Sequence, residues 1–220
     1  MKIGILIPVY NEEKNIKPLI EKLNFPKNDI IIVDDGSTDN TWEIVQHMGV
    51  TVIKHNKNKG KGMAQKTGFK YAVKRKYDYI ITLDGDGQHD PAKVNTFVKK
   101  IYSTNDDIII GERRRSLLIM PIPRYFSNLF VSFIVSFLSH KKIKDAQSGY
   151  RALSYRVMKN VPLSTHHFDT ECELLIKAAR MGYKIGRIEI PTIYKEEKSK
   201  INPLIDTIRF VILGFKSIWR

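Results

Sequence analysis

The sequence predicts an α/β fold, a mostly parallel sheet with helices on both faces, and three observations carry that expectation. Short apolar runs alternate with helical stretches through the first half of the chain, the pattern of β-α-β units. Helix start signals fall between the runs. Three of the apolar runs end in polar or acidic tips, and ligands in such a sheet bind beyond the carboxyl ends of its strands.

In chain order, the strands are expected at residues 3–9, 30–33, 51–54, 79–83 and 108–110, with helices at 12–23, 41–48, 63–74 and 92–102. Asn11, the Ser37-Thr38-Asp39 cluster and Asp90-Pro91 supply the start signals, through side-chain oxygens that accept from early helix amides and a proline that needs no partner there. The character changes near Gly111. A basic loop, residues 113–115, leads into an apolar segment at 116–139, then into Asp145-Ala146-Gln147-Ser148-Gly149-Tyr150-Arg151. A helix at 170–181, a strand at 185–190 and a Lys-rich stretch at 195–200 follow.

The tail from 204 to 220 has the clearest amphipathic pattern. Leu204, Ile208, Val211, Ile212, Phe215 and Trp219 recur at helical spacing, while Asp206, Arg209, Lys216 and Arg220 fall largely elsewhere.

Bulk properties bound the function. The chain has 220 residues, 42% of them apolar, enough for one folded domain with a proper core. Its 37 Lys plus Arg against 23 Asp plus Glu leave a net charge of +14, which points to a polyanionic partner. Cys172 stands alone, so no internal disulfide framework or zinc-finger spacing exists, and a reducing, cytoplasmic setting is expected. The apolar run at 3–9 leads straight into polar residues and reads as a strand rather than a targeting segment. Pro121, Pro123 and Arg124 break the 116–139 segment, whose apolar heart at 129–138 is too short to span a bilayer.

The chemistry concentrates at the strand tips. Asp84-Gly85-Asp86-Gly87-Gln88-His89 follows the fourth strand, and alternating carboxylates around a glycine suit a divalent cation beside a phosphate. An acidic turn would look similar. Two further tips, Val33-Asp34-Asp35-Gly36-Ser37 and Pro8-Val9-Tyr10-Asn11-Glu12, favour one shared crevice over three separate turns. The stretch from Lys54 to Lys76 holds nine Lys or Arg and no acid; it reads as a solvated face more than a nucleic-acid site, since no zinc-finger or RNA-recognition signature accompanies it. His89, His166 and His167 are assigned no chemistry, and Cys172 is expected to pack.

With these pieces in place, the chain resembles inverting glycosyltransferases of family 2, which have the GT-A fold, and within them the dolichol-phosphate mannose synthase, or polyprenyl-phosphate, branch. The three tip motifs, Asp145 to Arg151 and Lys198-Ser199-Lys200 occur in family order. The resemblance implies one GT-A domain over 1–220, with a nucleotide-sugar half at 1–112, an acceptor side at 113–200 and an interface helix at 201–220. It implies that Pro8, Tyr10, Glu12, Val33, Asp35, Asp84 and Gly85 hold the nucleotide, and that Asp84, Asp86 and Gln88 hold Mg²⁺ or Mn²⁺. Arg113 and Lys200 match phosphate-meeting positions, and Arg151 is assigned to the acceptor or phosphate. Tyr194 departs from the family, which often has Arg there, and residues 195–198 lack the usual glycine.

The expected reaction moves a sugar from a GDP- or UDP-sugar to a polyprenyl phosphate. Developing charge on the departing diphosphate calls for Asp86 with its cation and for Arg113. A phosphate acceptor is already anionic at neutral pH, whereas a hydroxyl acceptor needs a base, for which Asp145 is the candidate beside its other reading as an ion-pair partner of Arg151. The apolar segments at 125–138 and 204–219, flanked by basic residues, suit helices lying on an anionic membrane surface at the inner face, or core-packing or dimer-forming helices. Relatives with transmembrane helices suggest that an integral membrane partner replaces them here. Two other functions fit fewer residues: transfer to a saccharide or other hydroxyl, and a non-catalytic basic module binding membrane or nucleic acid.

Overall fold

The computed structural model describes residues 1–113, 122–167 and 169–191, with the backbone alone at 122–124. The elements run β1 (Ile3–Val9), α1 (Ile16–Lys22), β2 (Ile30–Asp34), α2 (Thr41–Gln46), β3 (Thr51–Lys54), α3 (Lys61–Lys74), β4 (Tyr79–Thr82), α4 (Val94–Ser103), β5 (Ile108–Arg113), α5 (Ile122–Ser139), β6 (Arg151–Ser154), α6 (Tyr155–Asn160), α7 (Thr170–Arg180) and β7 (Ile185–Ile190). The strands form one sheet in the order β3-β2-β1-β4-β6-β5-β7. All neighbours are parallel except at β6, which is antiparallel to both β4 and β5.

Side chains alternate across the sheet with the two-residue period of a strand. From β1, Leu6 joins a core with Ala64 and Phe69 of α3, Val131 and Val135 of α5, Val157 of α6 and Leu175 of α7. Ile5 and Ile7 point the other way, to Ile16 and Ile20 of α1, Val45 of α2 and Phe97 of α4. Helices therefore cover both faces, and every residue of β1 and β2 is buried, as a doubly covered sheet requires. Full burial of an isoleucine such as Ile5 or Ile32 contributes roughly 1.5–3 kcal/mol.

The local signals explain most boundaries. Asp90 Oδ1 accepts from Ala92 N just before α4, and Asp39 Oδ1 accepts from Thr41 N as α2 begins. Asn11 does not start a helix. It adopts φ 54° and accepts from Thr38 N with Oδ1, so residues 12–15 form a turn and α1 begins only at Ile16. β5 runs three residues past the expected Ile110, because β7 extends its ladder to Arg113↔Ile190. The four-residue β6 and the short α6 carry too little pattern to be foreseen.

In α5 two faces separate. Val131, Val135 and Leu138 pack inward, while Phe126, Phe130, Phe133 and Phe137 form an outward stripe at helical spacing, the last two 69% exposed. Two serines, Ser132 buried and Ser136 half-buried, stitch the following segment to the helix: Ser132 Oγ accepts from Ala146 N and Ser136 Oγ from Ile143 N. Among the described residues no helix is long and apolar enough to cross a membrane. Lys200 and the helix expected over 204–220 lie outside the described residues.

Candidate active site

Parallel pairing sends the carboxyl ends of β1, β2, β4 and β5 to one edge, and the reversed β6 begins at that same edge. Tyr10, Asp35, Asp84 and Arg113 therefore leave the sheet together, with the Asp145 to Arg151 segment beside them. The strand order changes direction between β1 and β4, the place where open α/β sheets form a binding crevice.

At the β1 and β2 tips the two loops are knitted together. Ser37 Oγ accepts from Asn11 N, Thr41 Oγ1 from Glu12 N, and Glu13 Oε2 from Asn40 N. Pro8 and Val33 are register partners, both buried, and Tyr10 is half-buried. Glu12 is buried and its Oε2 accepts from Asn15 Nδ2. Asp34 uses Oδ1 on the Ser37 amide and hydroxyl, which closes the turn.

Asp35 has a structural task. Its Oδ1 lies 2.6 Å from His55 Nδ1, and the amides of Lys59 and Gly60 donate to its two oxygens. A carboxylate only accepts, so His55 Nδ1 donates to Asp35, and Nε2 lies 2.9 Å from the Thr67 hydroxyl. Asp35 thus holds residues 57–60 in place. Gly60 sits at φ 93°, where a side chain is strained, and a Cβ there would stand 2.6 Å from His166 O.

The next residue, Lys61, opens α3 and reaches the β4 tip. Its Nζ lies 2.6 Å from Asp84 Oδ1 and 2.8 Å from Glu171 Oε1 of α7. Burial works against charge on both Lys61 and Asp84. Mutual attraction outweighs it, so the ammonium is held above its ordinary pKa and the Asp84 carboxyl below its own. Asp86 lies in the opposite situation: burial, and then the Asp84 charge, push its carboxyl up. The Gln88 amide donates to Asp86 Oδ1 at 2.9 Å and shapes the turn.

His89 pins this loop from beneath. Its Nδ1 accepts the Asp84 amide proton at 3.2 Å, which leaves the ring proton on Nε2, and the ring stacks on Tyr150 at 4.9 Å. Burial keeps this imidazole neutral by lowering its pKa. Tyr150 in turn packs on Phe97 and donates its hydroxyl to Asp90 O. Gly85 backs onto Val9, and a Cβ on Gly149 would stand 2.6 and 2.7 Å from the Asp84 oxygens. The segment before β6 therefore closes tightly over Asp84.

Two carboxylates and one amide side chain at this tip make a hard-oxygen donor set of the kind Mg²⁺ and Mn²⁺ accept. Among the described residues no three His, Cys, Asp or Glu side chains gather closely enough to hold a metal by themselves. Such a partial set suits a cation that takes its remaining ligands from phosphate and water.

Arg113, at the end of β5, forms a two-pronged pair with Asp145: Nε to Oδ2 at 2.7 Å and Nη2 to Oδ1 at 2.8 Å. Asn128 of α5 donates to Asp145 Oδ1 at 3.0 Å. Burial opposes the Asp145 charge, but Arg113 outweighs it and holds the carboxyl well below the usual range. A carboxylate so weakly basic is poorly suited to take a proton from a hydroxyl. Its partner is Arg113, not the Arg151 considered from sequence.

Arg151 itself is a correction. It is buried at 2% exposure, and its guanidinium donates to the carbonyls of Ser148, Glu171 and Ala146. Those three bonds spend its planar fork on the backbone, so it braces the start of β6 against α7 and does not reach an acceptor phosphate. Cys172 packs in the core, with burial raising its thiol pKa. Lys61 and His89, to which the sequence assigns no chemistry, and Glu171 of α7 join this site through the fold.

Fold and site together define an α/β protein with a mostly parallel sheet and an acidic crevice at the carboxyl ends of its strands. Residues 4–160 match the profile described as glycosyl transferase family 2, and the chain belongs to that family. It is 34% identical over 241 residues to the UDP-N-acetylglucosamine–dolichyl-phosphate N-acetylglucosaminyltransferase of Methanococcus voltae, with 99% of this chain and 94% of that protein covered. It is 32% identical over 190 residues to the dolichol-phosphate mannosyltransferase of Pyrococcus furiosus, covering 80% of this chain and 53% of the relative. Glucosyl-3-phosphoglycerate synthase from Mycobacterium tuberculosis, crystallised with Mn²⁺ and UDP-glucose, shares the fold at a TM-score of 0.76 and 20% identity, over 98% of this chain and 78% of that one. The expected GT-A architecture is thus the observed one.

Proposed function

We propose that this glycosyltransferase moves a sugar, with inversion, from a GDP- or UDP-sugar to a polyprenyl phosphate at the inner face of a membrane. One observation carries the reading: Asp145 joins Arg113, beside the aspartate loop, to Asn128 on the helix that exposes an aromatic stripe. A phosphate-facing cation and a lipid-facing helix are bonded to the same carboxylate. The names of the Methanococcus and Pyrococcus relatives support the acceptor class.

In this reading the nucleoside lies over the β1 and β2 tips, among Pro8, Tyr10, Glu12, Val33 and Asp35, and the diphosphate lies at Asp84 and Gly85. Asp84, Asp86 and Gln88 would hold Mg²⁺ or Mn²⁺, which when bound supplies Lewis-acid stabilisation of the departing diphosphate. Arg113 meets negative charge on the acceptor side, and Lys200 serves the same end. An acceptor phosphate brings its own negative charge, so no base is required, in keeping with the depressed Asp145 carboxyl. The stripe Phe126, Phe130, Phe133 and Phe137, with Lys141, Lys142 and Lys144 just beyond it, suits an anionic lipid surface, with an integral partner supplying any permanent anchor.

The test is direct. Purified protein with Mn²⁺ or Mg²⁺, a panel of labelled GDP- and UDP-sugars and a polyprenyl phosphate should give an organic-extractable product. Asp86→Ala should lower the rate by about a hundredfold or more. Absence of lipid product with every donor, alongside transfer to a saccharide hydroxyl, would replace this acceptor with the other class.

A further inference from the structure

Lys61 places a fixed positive charge inside the acidic crevice. Its ammonium is shared by two carboxylates from distant parts of the chain, Asp84 at the β4 tip and Glu171 on α7, and its side chain is only 17% exposed. The backbone leading to it is held on both sides: Asp35 accepts the Lys59 and Gly60 amides, and a Cβ on Gly62 would lie 2.0 Å from Thr170 Oγ1. Gln65, one turn further along α3, donates to the same Glu171 Oε1 at 3.2 Å. This lysine is not a mobile surface side chain that salt would screen; it is aimed by the fold.

The geometry sets up a competition. A divalent cation ligated by Asp84 and an ammonium 2.6 Å from Asp84 Oδ1 repel each other across one carboxylate, in a site where screening is weak. A diphosphate changes the balance, because it brings negative oxygens that both positive groups can share. Glu171 keeps the ammonium within reach during either arrangement. We infer that Lys61 makes cation binding at the aspartate loop depend on the donor: its ammonium competes for Asp84 until a nucleoside diphosphate draws it away. Lys61 is thus a positioning residue that sets the order of assembly, cation and donor together rather than cation first. The inference rests on the reading of Asp84 and Asp86 as the cation and diphosphate site.

Mn²⁺ binding, followed on the full chain by the loss of the free-ion electron paramagnetic resonance signal, tests it without any turnover. The wild type should bind Mn²⁺ weakly alone and at least about tenfold more tightly with UDP or GDP. Lys61→Met should bind Mn²⁺ alone about tenfold more tightly than the wild type, with a smaller response to nucleotide. Glu171→Gln removes one of the two carboxylates that hold the ammonium and leaves its pair with Asp84, so Mn²⁺ affinity without nucleotide should stay at or below the wild-type value. Thermal unfolding checks that each variant is folded, and Lys61→Gln carries the same expectation if the Met variant is not. Equal Mn²⁺ affinity in the wild type with and without nucleotide, or no tightening in the folded neutral variants, overturns the inference while leaving the donor site intact. Failure of UDP and GDP to bring any Mn²⁺ to the wild type overturns the donor-site reading as well.

Discussion

Glu173→Gln perturbs the segment that leads into α7. Glu173 sits on α7 with its side chain 1% exposed, and its carboxylate accepts from the amides and hydroxyls of Ser164 and Thr165 and from Lys177 Nζ at 2.6 Å. Burial works against its charge, but these donors outweigh it and pull the carboxyl from its ordinary 4.5 to about 2. At about 1.4 kcal/mol per tenfold change in proton affinity, that depression corresponds to roughly 3 kcal/mol of folding stability. The folded value is the lower one, so this stabilisation is complete above about pH 4.5 and disappears as pH falls through about 2. A glutamine keeps the shape, loses the charge and turns an NH₂ toward donors. The expected cost at pH 7 is roughly 2–4 kcal/mol, read from urea unfolding followed by circular dichroism. The gap between wild type and variant should narrow steadily from pH 5 to pH 3. A gap under about 0.5 kcal/mol at pH 7, or one that does not change with pH, would refute the assignment of this carboxylate as the anchor of residues 164–165.

Two further outcomes follow from the geometry of the site and the helix beside it. Gly149→Ala places a methyl against both Asp84 oxygens, so transfer should fall by about a hundredfold while the unfolding midpoint moves little; activity near the wild-type level would show that the loop has room to give. Phe133→Asp with Phe137→Asp alters only side chains that are 69% exposed, so stability should be preserved while binding to anionic vesicles drops about tenfold in sedimentation; unchanged binding would assign membrane contact elsewhere.

The strand tips were legible because their signals are local: an apolar run followed within a few residues by Asp84 and Asp86, or by Asp34 and Asp35, states both a strand end and a polar loop. β6 was not, since Arg151–Ser154 becomes a strand only through ladders to β4 and β5, far away in sequence. Arg151 was misread for a related reason. A guanidinium that spends itself on three backbone carbonyls looks, in one dimension, like any arginine near a phosphate motif. Lys61 sat in a basic stretch whose composition suggested a solvated face, and only the folding of α7 onto α3 supplies Glu171 and withdraws this one lysine from solvent. Asp145 was read as a base or as an ion-pair partner of Arg151; it pairs with Arg113 instead, because β5 runs on to that residue.

The reversed strand also gives the molecule a usable back. β6 carries the chain away from the crevice and delivers Ser154 and Tyr155 to the opposite edge, where the Tyr155 amide donates to Asp78 O. Exposed Asn105 borders the same region, just before β5 sets out toward the front. Because Cys172 is the sole cysteine and is buried, Asn105→Cys creates a single addressable thiol. Tethered there to a chip or a fluorophore, every molecule would present the crevice at its strand tips outward, so that ligand exchange is observed on a uniformly oriented layer.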